Sequence, residues 1–88
     1  MNEKDPIVIV GAARTPMGGF GGTLKDTRAP ELGGVAIRGA LERAGVSSDM
    51  VDEVVLGNAL QATEAGYAAR LASLRAGVPE EVPTIAVE

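Results

Sequence analysis

The chain has 88 residues, eight of them basic and twelve acidic, for a net charge of −4, and it contains neither cysteine nor histidine. Within these residues that excludes a disulfide framework, a thiolate nucleophile, a Ser/His/Asp triad, a Cys/His dyad and an ordinary zinc site. The acidic balance gives no electrostatic footing for nucleic acid.

In chain order, Met1–Asp5 is polar, and the apolar run after it, Ile7–Val10, is only four residues long. That is far short of a secretory core or a membrane span, so the chain reads as soluble and cytoplasmic, with no membrane partner. Ile7–Val10 is β-branched throughout and bounded by Pro6 and Gly11, which predicts a short strand buried on both faces. Gly11–Leu24 follows as a loop with five glycines, at 11, 18, 19, 21 and 22. Phe20, a lone aromatic among them, is expected to anchor the loop by burial.

Pro30–Ala44 carries the clearest helix pattern. Pro30 suits the first helical turn and Glu31 the positive end of the dipole. Leu32, Ala36, Ile37, Ala40, Leu41 and Ala44 share one face; Glu31, Arg38 and Glu42 share the other, with Arg38 and Glu42 spaced for an i,i+4 ion pair. Gly45 suits a C-terminal cap. Ser47–Glu53 reads as a polar connector with one helical turn from Ser48 or Asp49, and Val54–Leu60 as a second strand. Tyr67–Ala76 reads as a helix rich in small residues that packs closely and stops at Gly77 and Pro79. Thr84–Val87 reads as a third strand, and a chain that stops inside a strand is expected to be cut from something longer. The order is β-loop-α-β-α-β, an α/β layered pattern.

Alanine and glycine make up 26 of the 88 residues, while Leu, Ile, Val and Phe make up 22. Small domains bury a low fraction of their surface, so a chain with so few large side chains is expected to complete its core outside itself. Asp49, Asp52 and Glu53 cluster, but they read as a solvated connector, not a metal site. The glycine loop fits neither nucleotide pattern. From Gly19 the third glycine of G-x-G-x-x-G falls on Leu24, and Lys25 is followed by Asp26 where a P-loop needs Ser or Thr.

One set of residues is more specific. Ile7-Val8-Ile9-Val10-Gly11-Ala12-Ala13 runs into Arg14-Thr15-Pro16-Met17-Gly18-Gly19-Phe20-Gly21-Gly22, with Leu24 two positions on. This closely resembles the opening of the thiolases, the acetyl-CoA C-acyltransferases. The likeness continues through Glu31-Leu32-Gly33, Ala40–Val46, Val51–Val54, Gly57–Gln61, Ala69-Arg70, Ala76–Pro79 and Val82-Pro83. Departures stand at Gly19, at Glu64–Tyr67 in place of a common Gly-Gln-Asn-Pro, and at Glu88 in place of a common Asn.

The resemblance implies that residues 1–88 are the N-terminal part of a thiolase N-terminal domain, not an independent domain. Its fold would be an incomplete N-terminal half of the α-β-α layered architecture. The parent enzyme would exchange acyl groups between coenzyme A and a cysteine lying just past Glu88, condensing two acetyl-CoA or cleaving 3-ketoacyl-CoA. On that reading Thr84–Val87 is the strand that delivers the nucleophile, and Arg14 and Thr15 anchor their loop. No residue of this chain is assigned as catalytic, cofactor-binding or metal-ligating, and the coenzyme A thioester is the parent's substrate, with no cofactor held by this chain. The partners implied are the C-terminal remainder of the same protein and a second copy, in a homodimer or tetramer with Thr84–Val87 at the interface. The family's sheet order also keeps the strands resembling 7–10 and 54–60 apart, with later strands between them. The alternatives are a non-catalytic thiolase-like protein that binds acyl-CoA or lipid, and a nucleotide-binding α/β module.

Overall fold

A computed structural model describes residues 5–57 and 68–87. Its elements are helix α1 (Ala29–Ala44), a single 3-10 turn (Ser48–Met50), strand β1 (Val54–Gly57), helix α2 (Ala68–Arg75) and strand β2 (Thr84–Val87).

Both helices stop where glycine makes them stop. Gly45 has φ 68° and Gly77 φ 85°, a left-handed conformation that costs a residue with a side chain about 1–2 kcal/mol. After α1, the N–H of Val46 reaches back to the Leu41 carbonyl at 3.0 Å and that of Gly45 to Glu42 at 3.2 Å. After α2, Val78 reaches Ser73 and Gly77 reaches Leu74, both at 3.1 Å. These paired bonds satisfy carbonyls that each helix end would otherwise leave open. At the other end of α1, Pro30 lies in the first turn and is fully buried. Arg38 turns away from the predicted ion pair with Glu42 and donates to the Arg75 carbonyl, because α2 lies against that flank of α1.

β1 and β2 run parallel, with Val54 opposite Thr84 and Gly57 opposite Val87. Parallel neighbours need a crossover, and α2 supplies it. The described part of the predicted second strand is Val54–Gly57; positions 58–60 lie outside the described residues, as does Tyr67 ahead of α2. The core is a cluster of Val54, Ala76, Val78 and Val82, with Ile37 of α1 and Val51 packed against it. α1 meets α2 through small residues. A Cβ built on Gly33 would lie 2.9 Å from the Cβ of Ala72, and one on Gly34 would lie 3.0 Å from that of Arg75.

Two expectations for the N-terminal third fail. Ile7–Val10 forms no strand, and Ile7 and Ile9 are 84% and 91% exposed. The segment is held across α1 instead. Arg43 donates to the Ala12 carbonyl at 3.4 Å, and a Cβ on Gly11 would sit 2.7 Å from the Ala40 carbonyl oxygen. Its distance from β1 explains the missing strand: a cleft of about 280 Å³, lined by Val10, Ile37, Leu41, Val46, Val51 and Val54 among others, separates the two. Among the described residues this β-branched run has no neighbour to exchange ladder bonds with, so it keeps a strand's propensity and forms no strand. Phe20, expected to be buried, is fully exposed. The loop turns back on itself through a bond from the Gly22 N–H to the Gly19 carbonyl at 2.8 Å, Leu24 takes the apolar contact against Gly18, and none of the described residues covers the ring.

Two substitutions test the packing. Alanine for glycine inside a helix normally gains about 1 kcal/mol from propensity. At Gly33 a 2.9 Å approach to another Cβ adds overpacking of about 1–3 kcal/mol, so Gly33→Ala is expected to lower the melting temperature of the intact protein. Ser73 is fully buried and its hydroxyl has no hydrogen-bond partner among the described residues. An unsatisfied buried hydroxyl costs about 1–3 kcal/mol, so Ser73→Ala is expected to raise the denaturation midpoint; a lower midpoint would show that the hydroxyl is satisfied after all.

Candidate functional site

The thiolase resemblance, and not the residues of the strand themselves, singles out Thr84–Val87 as the element that matters for function, so the site is built from what places β2. The chain leaves α2 at the Gly77 cap, turns at Pro79–Pro83 and enters β2. The N–H of Val82 donates to the Pro79 carbonyl at 3.1 Å, closing that turn, and the Val54 N–H donates to the Pro83 carbonyl at 3.1 Å, joining it to the start of β1. Val78 and Val82, both buried, pin the two sides of the turn to the core.

Arg70, in the first turn of α2, completes the arrangement. Its Nη1 donates to the Val82 carbonyl at 2.9 Å, and its Nη2 donates to the Glu80 carbonyl. The planar guanidinium thus spans two peptide groups of one turn, a geometry that the fixed fork of arginine provides and the point charge of lysine does not. Composition and periodicity gave no hint of this role. The residue stood out only as part of the Ala69-Arg70 likeness, because its partners lie ten and twelve residues further on.

β2 itself is only partly covered. Ile85 and Val87 are about half exposed, and β1 is its one partner strand among the described residues. Glu88, the residue after the strand, lies outside the described residues.

The other candidates do not converge on β2. Thr15 donates its hydroxyl to the Pro16 carbonyl at 3.2 Å, a bond local to its own loop. Arg14 is exposed, and the anchoring expected of it is not made by any of the described residues. The reason is the same as for Phe20: none of the described residues lies opposite that side of the loop. Asp49, Asp52 and Glu53 are all exposed, and among the described residues no group of three or more acidic side chains comes together to hold a metal. The glycine loop does not open directly into α1; Thr23–Arg28 intervene, and Pro30 and Glu31 in the first turn offer a missing N–H and a negative charge where an anion would need donors.

A second, charged cleft of about 280 Å³ lies between α1 and α2, lined by Glu31, Gly34, Val35, Arg38 and Arg75. Arg75 and Glu31 form an ion pair at 3.4 Å with both side chains about half exposed, which is worth at most about 1 kcal/mol. With Arg38 occupied by the Arg75 carbonyl, these charges fasten the two helices to one another. No helix among the described residues is long and apolar enough to cross a membrane.

Comparison with known proteins agrees with this placement of elements. The family profile described as "Thiolase, N-terminal domain" matches residues 7–88. An acetyl-CoA acetyltransferase of Cupriavidus necator is 49% identical over 81 residues, covering 92% of this chain and 21% of that protein. The acetyl-CoA acetyltransferase of Rhizobium meliloti is 52% identical over 75 residues, covering 85% and 19%. The crystal structure of human mitochondrial 3-ketoacyl-CoA thiolase in complex with CoA superposes with a TM-score of 0.83 at 44% identity, covering 89% of this chain and 20% of that one. The chain therefore spans about a fifth of the length of these relatives. Its helices and parallel strands are those of an incomplete α/β thiolase fold, and the match across residues 7–88 makes the chain a member of the thiolase family, within its N-terminal domain.

Proposed function

We propose that residues 1–88 are the opening part of an acetyl-CoA C-acetyltransferase, which moves acyl groups between coenzyme A and an active-site cysteine. One observation carries the reading: the match covers 92% of the chain, at 49% identity to a protein named acetyl-CoA acetyltransferase, yet it covers 21% of that protein. The absence of cysteine and histidine fits a division in which the reacting groups come from the remainder.

In this reading the chain's own residues position. β2 is bound along one edge to β1 and steered at its start by the Pro79–Pro83 turn, so it presents the segment beyond Glu88 in a fixed direction. A cysteine placed there at the head of a helix would have its thiol pKa lowered by the dipole, favouring the thiolate that attacks the thioester carbonyl. Coenzyme A thioester is the substrate of the whole enzyme, and none of the 88 residues is assigned to hold a cofactor. The C-terminal remainder would cover Ile7–Val10 and Phe20, and a second copy would meet the exposed side of β2, protecting an edge that otherwise offers open ladder groups. The whole enzyme is placed in the cytoplasm.

The test compares two proteins. The full-length protein carrying these residues is expected to cleave acetoacetyl-CoA when coenzyme A is added, and the isolated 88-residue chain to show no turnover. Turnover by the pure isolated chain, rising with its concentration, would overturn the assignment of chemistry to the remainder. A full-length protein that folds and binds acetoacetyl-CoA without cleaving it would overturn the acyl-transfer reading.

A further inference from the structure

The geometry points to Arg70 as a positioning residue for the segment that leaves β2, a role that rests on the acyl-transfer reading above. Four bonds form a continuous path from α2 to the sheet. Arg70 donates to the Glu80 and Val82 carbonyls, the Val82 N–H closes the turn onto Pro79, and the Pro83 carbonyl receives the Val54 N–H of β1. The two carbonyls that Arg70 holds flank Glu81, so one rigid group fixes the orientation of both peptide planes. Loss of the fork leaves the turn held by the Val82–Pro79 bond, the Val54–Pro83 bond to β1 and the burial of Val78 and Val82, and so loosens the direction in which the strand starts.

Two features make this turn consequential. β2 is four residues long, so its ladder with β1 supplies few bonds to correct an error introduced at its start. Its register also decides which face each side chain occupies, since a slip of one residue inverts all of them. A displacement of about 1 Å at reacting atoms, even from a change far from the chemistry, can cost about 10²-fold in rate.

The experiment uses the full-length protein with Arg70→Ala and Arg70→Lys, assayed for thiolysis of acetoacetyl-CoA. For Arg70→Ala, kcat is expected to fall about 10²-fold with KM changed by no more than about twofold, the signature of lost positioning with binding retained. Millimolar guanidinium is expected to restore part of that loss in Arg70→Ala and none in the wild type, and sodium chloride at the same ionic strength to restore nothing. Arg70→Lys keeps the charge without the fork and is expected to fall between the two. Wild-type kcat in Arg70→Ala would overturn the role. So would a loss carried by KM, or one that follows a lowered melting temperature and does not respond to guanidinium. If Arg70→Ala fails to fold, Arg70→Lys decides: a lowered kcat at unchanged melting temperature supports the role, and an unchanged kcat overturns it. A folded wild type without thiolysis activity removes the acyl-transfer reading and this role together, whereas an active wild type beside a fully active Arg70→Ala removes this role alone.

Discussion

The close approach of α1 to α2 is the constraint on which the other contacts depend. Gly33 and Gly34 have no side chain to hold the helices apart, and Ala72 faces them with a single methyl group. At that separation α2 lies near enough to cover both β1 and β2, and the Arg38 and Arg75 side chains can reach across the seam. A larger side chain at the crossing would lift α2, and with it Arg70 and the turn it holds. The dense alanine and glycine content that makes the core thin is thus also what lets the crossover sit close to its two strands.

The same composition leaves the fold short of apolar cover. Among the fully buried side chains the largest are Pro30 and Ser73, while Ile7, Ile9, Phe20, Ile85 and Val87 face outward. Scattered exposed apolar residues are ordinary, but here they group. Ile7–Val10 forms one continuous run, and Ile85 and Val87 alternate along one strand. Between the run and β1 lies an apolar cleft whose walls are contributed by α1 and by the start of β1. Such a cleft flanked by an extended segment and a strand edge has the shape of a sheet with members missing, which agrees with a chain that spans a fifth of its relatives.

How much of this was legible in the sequence depends on how local each cause is. The ends of both helices were readable because Gly45 and Gly77 impose a left-handed residue whatever surrounds them. The Val54 and Thr84 strands were readable because each finds the other. Ile7–Val10 has the same β-branched character and no partner strand among the described residues, and propensity alone does not make a ladder. Phe20 failed for a related reason: a lone aromatic is buried only if something lies opposite it. The Arg38–Glu42 pair lost to a carbonyl that no periodicity argument could place. Arg70 was visible as a letter in a family likeness but not as a clamp, since its partners reach it only after the chain has turned at Gly77 and Pro79. The importance of β2 came from that likeness as well, because nothing in Thr-Ile-Ala-Val marks it as a functional strand.

A guanidinium held by carbonyls differs in consequence from one held by a carboxylate. Arg75 meets Glu31 at the surface, where salt screens the attraction and two long side chains must be ordered to make it. Arg70 is partly buried and meets backbone already ordered by the Pro79–Val82 turn, so it loses less freedom on pairing and its hydrogen bonds are charge-assisted. Removing Arg75 would leave Glu31 free to return to water. Removing Arg70 would leave the Glu80 and Val82 carbonyls without their donor, and beside the buried Val82 that is the costlier loss. Of the two arginines on α2, the one that the described residues pair only with carbonyls therefore has the stronger hold on the chain, and that hold acts on the turn from which β2 begins.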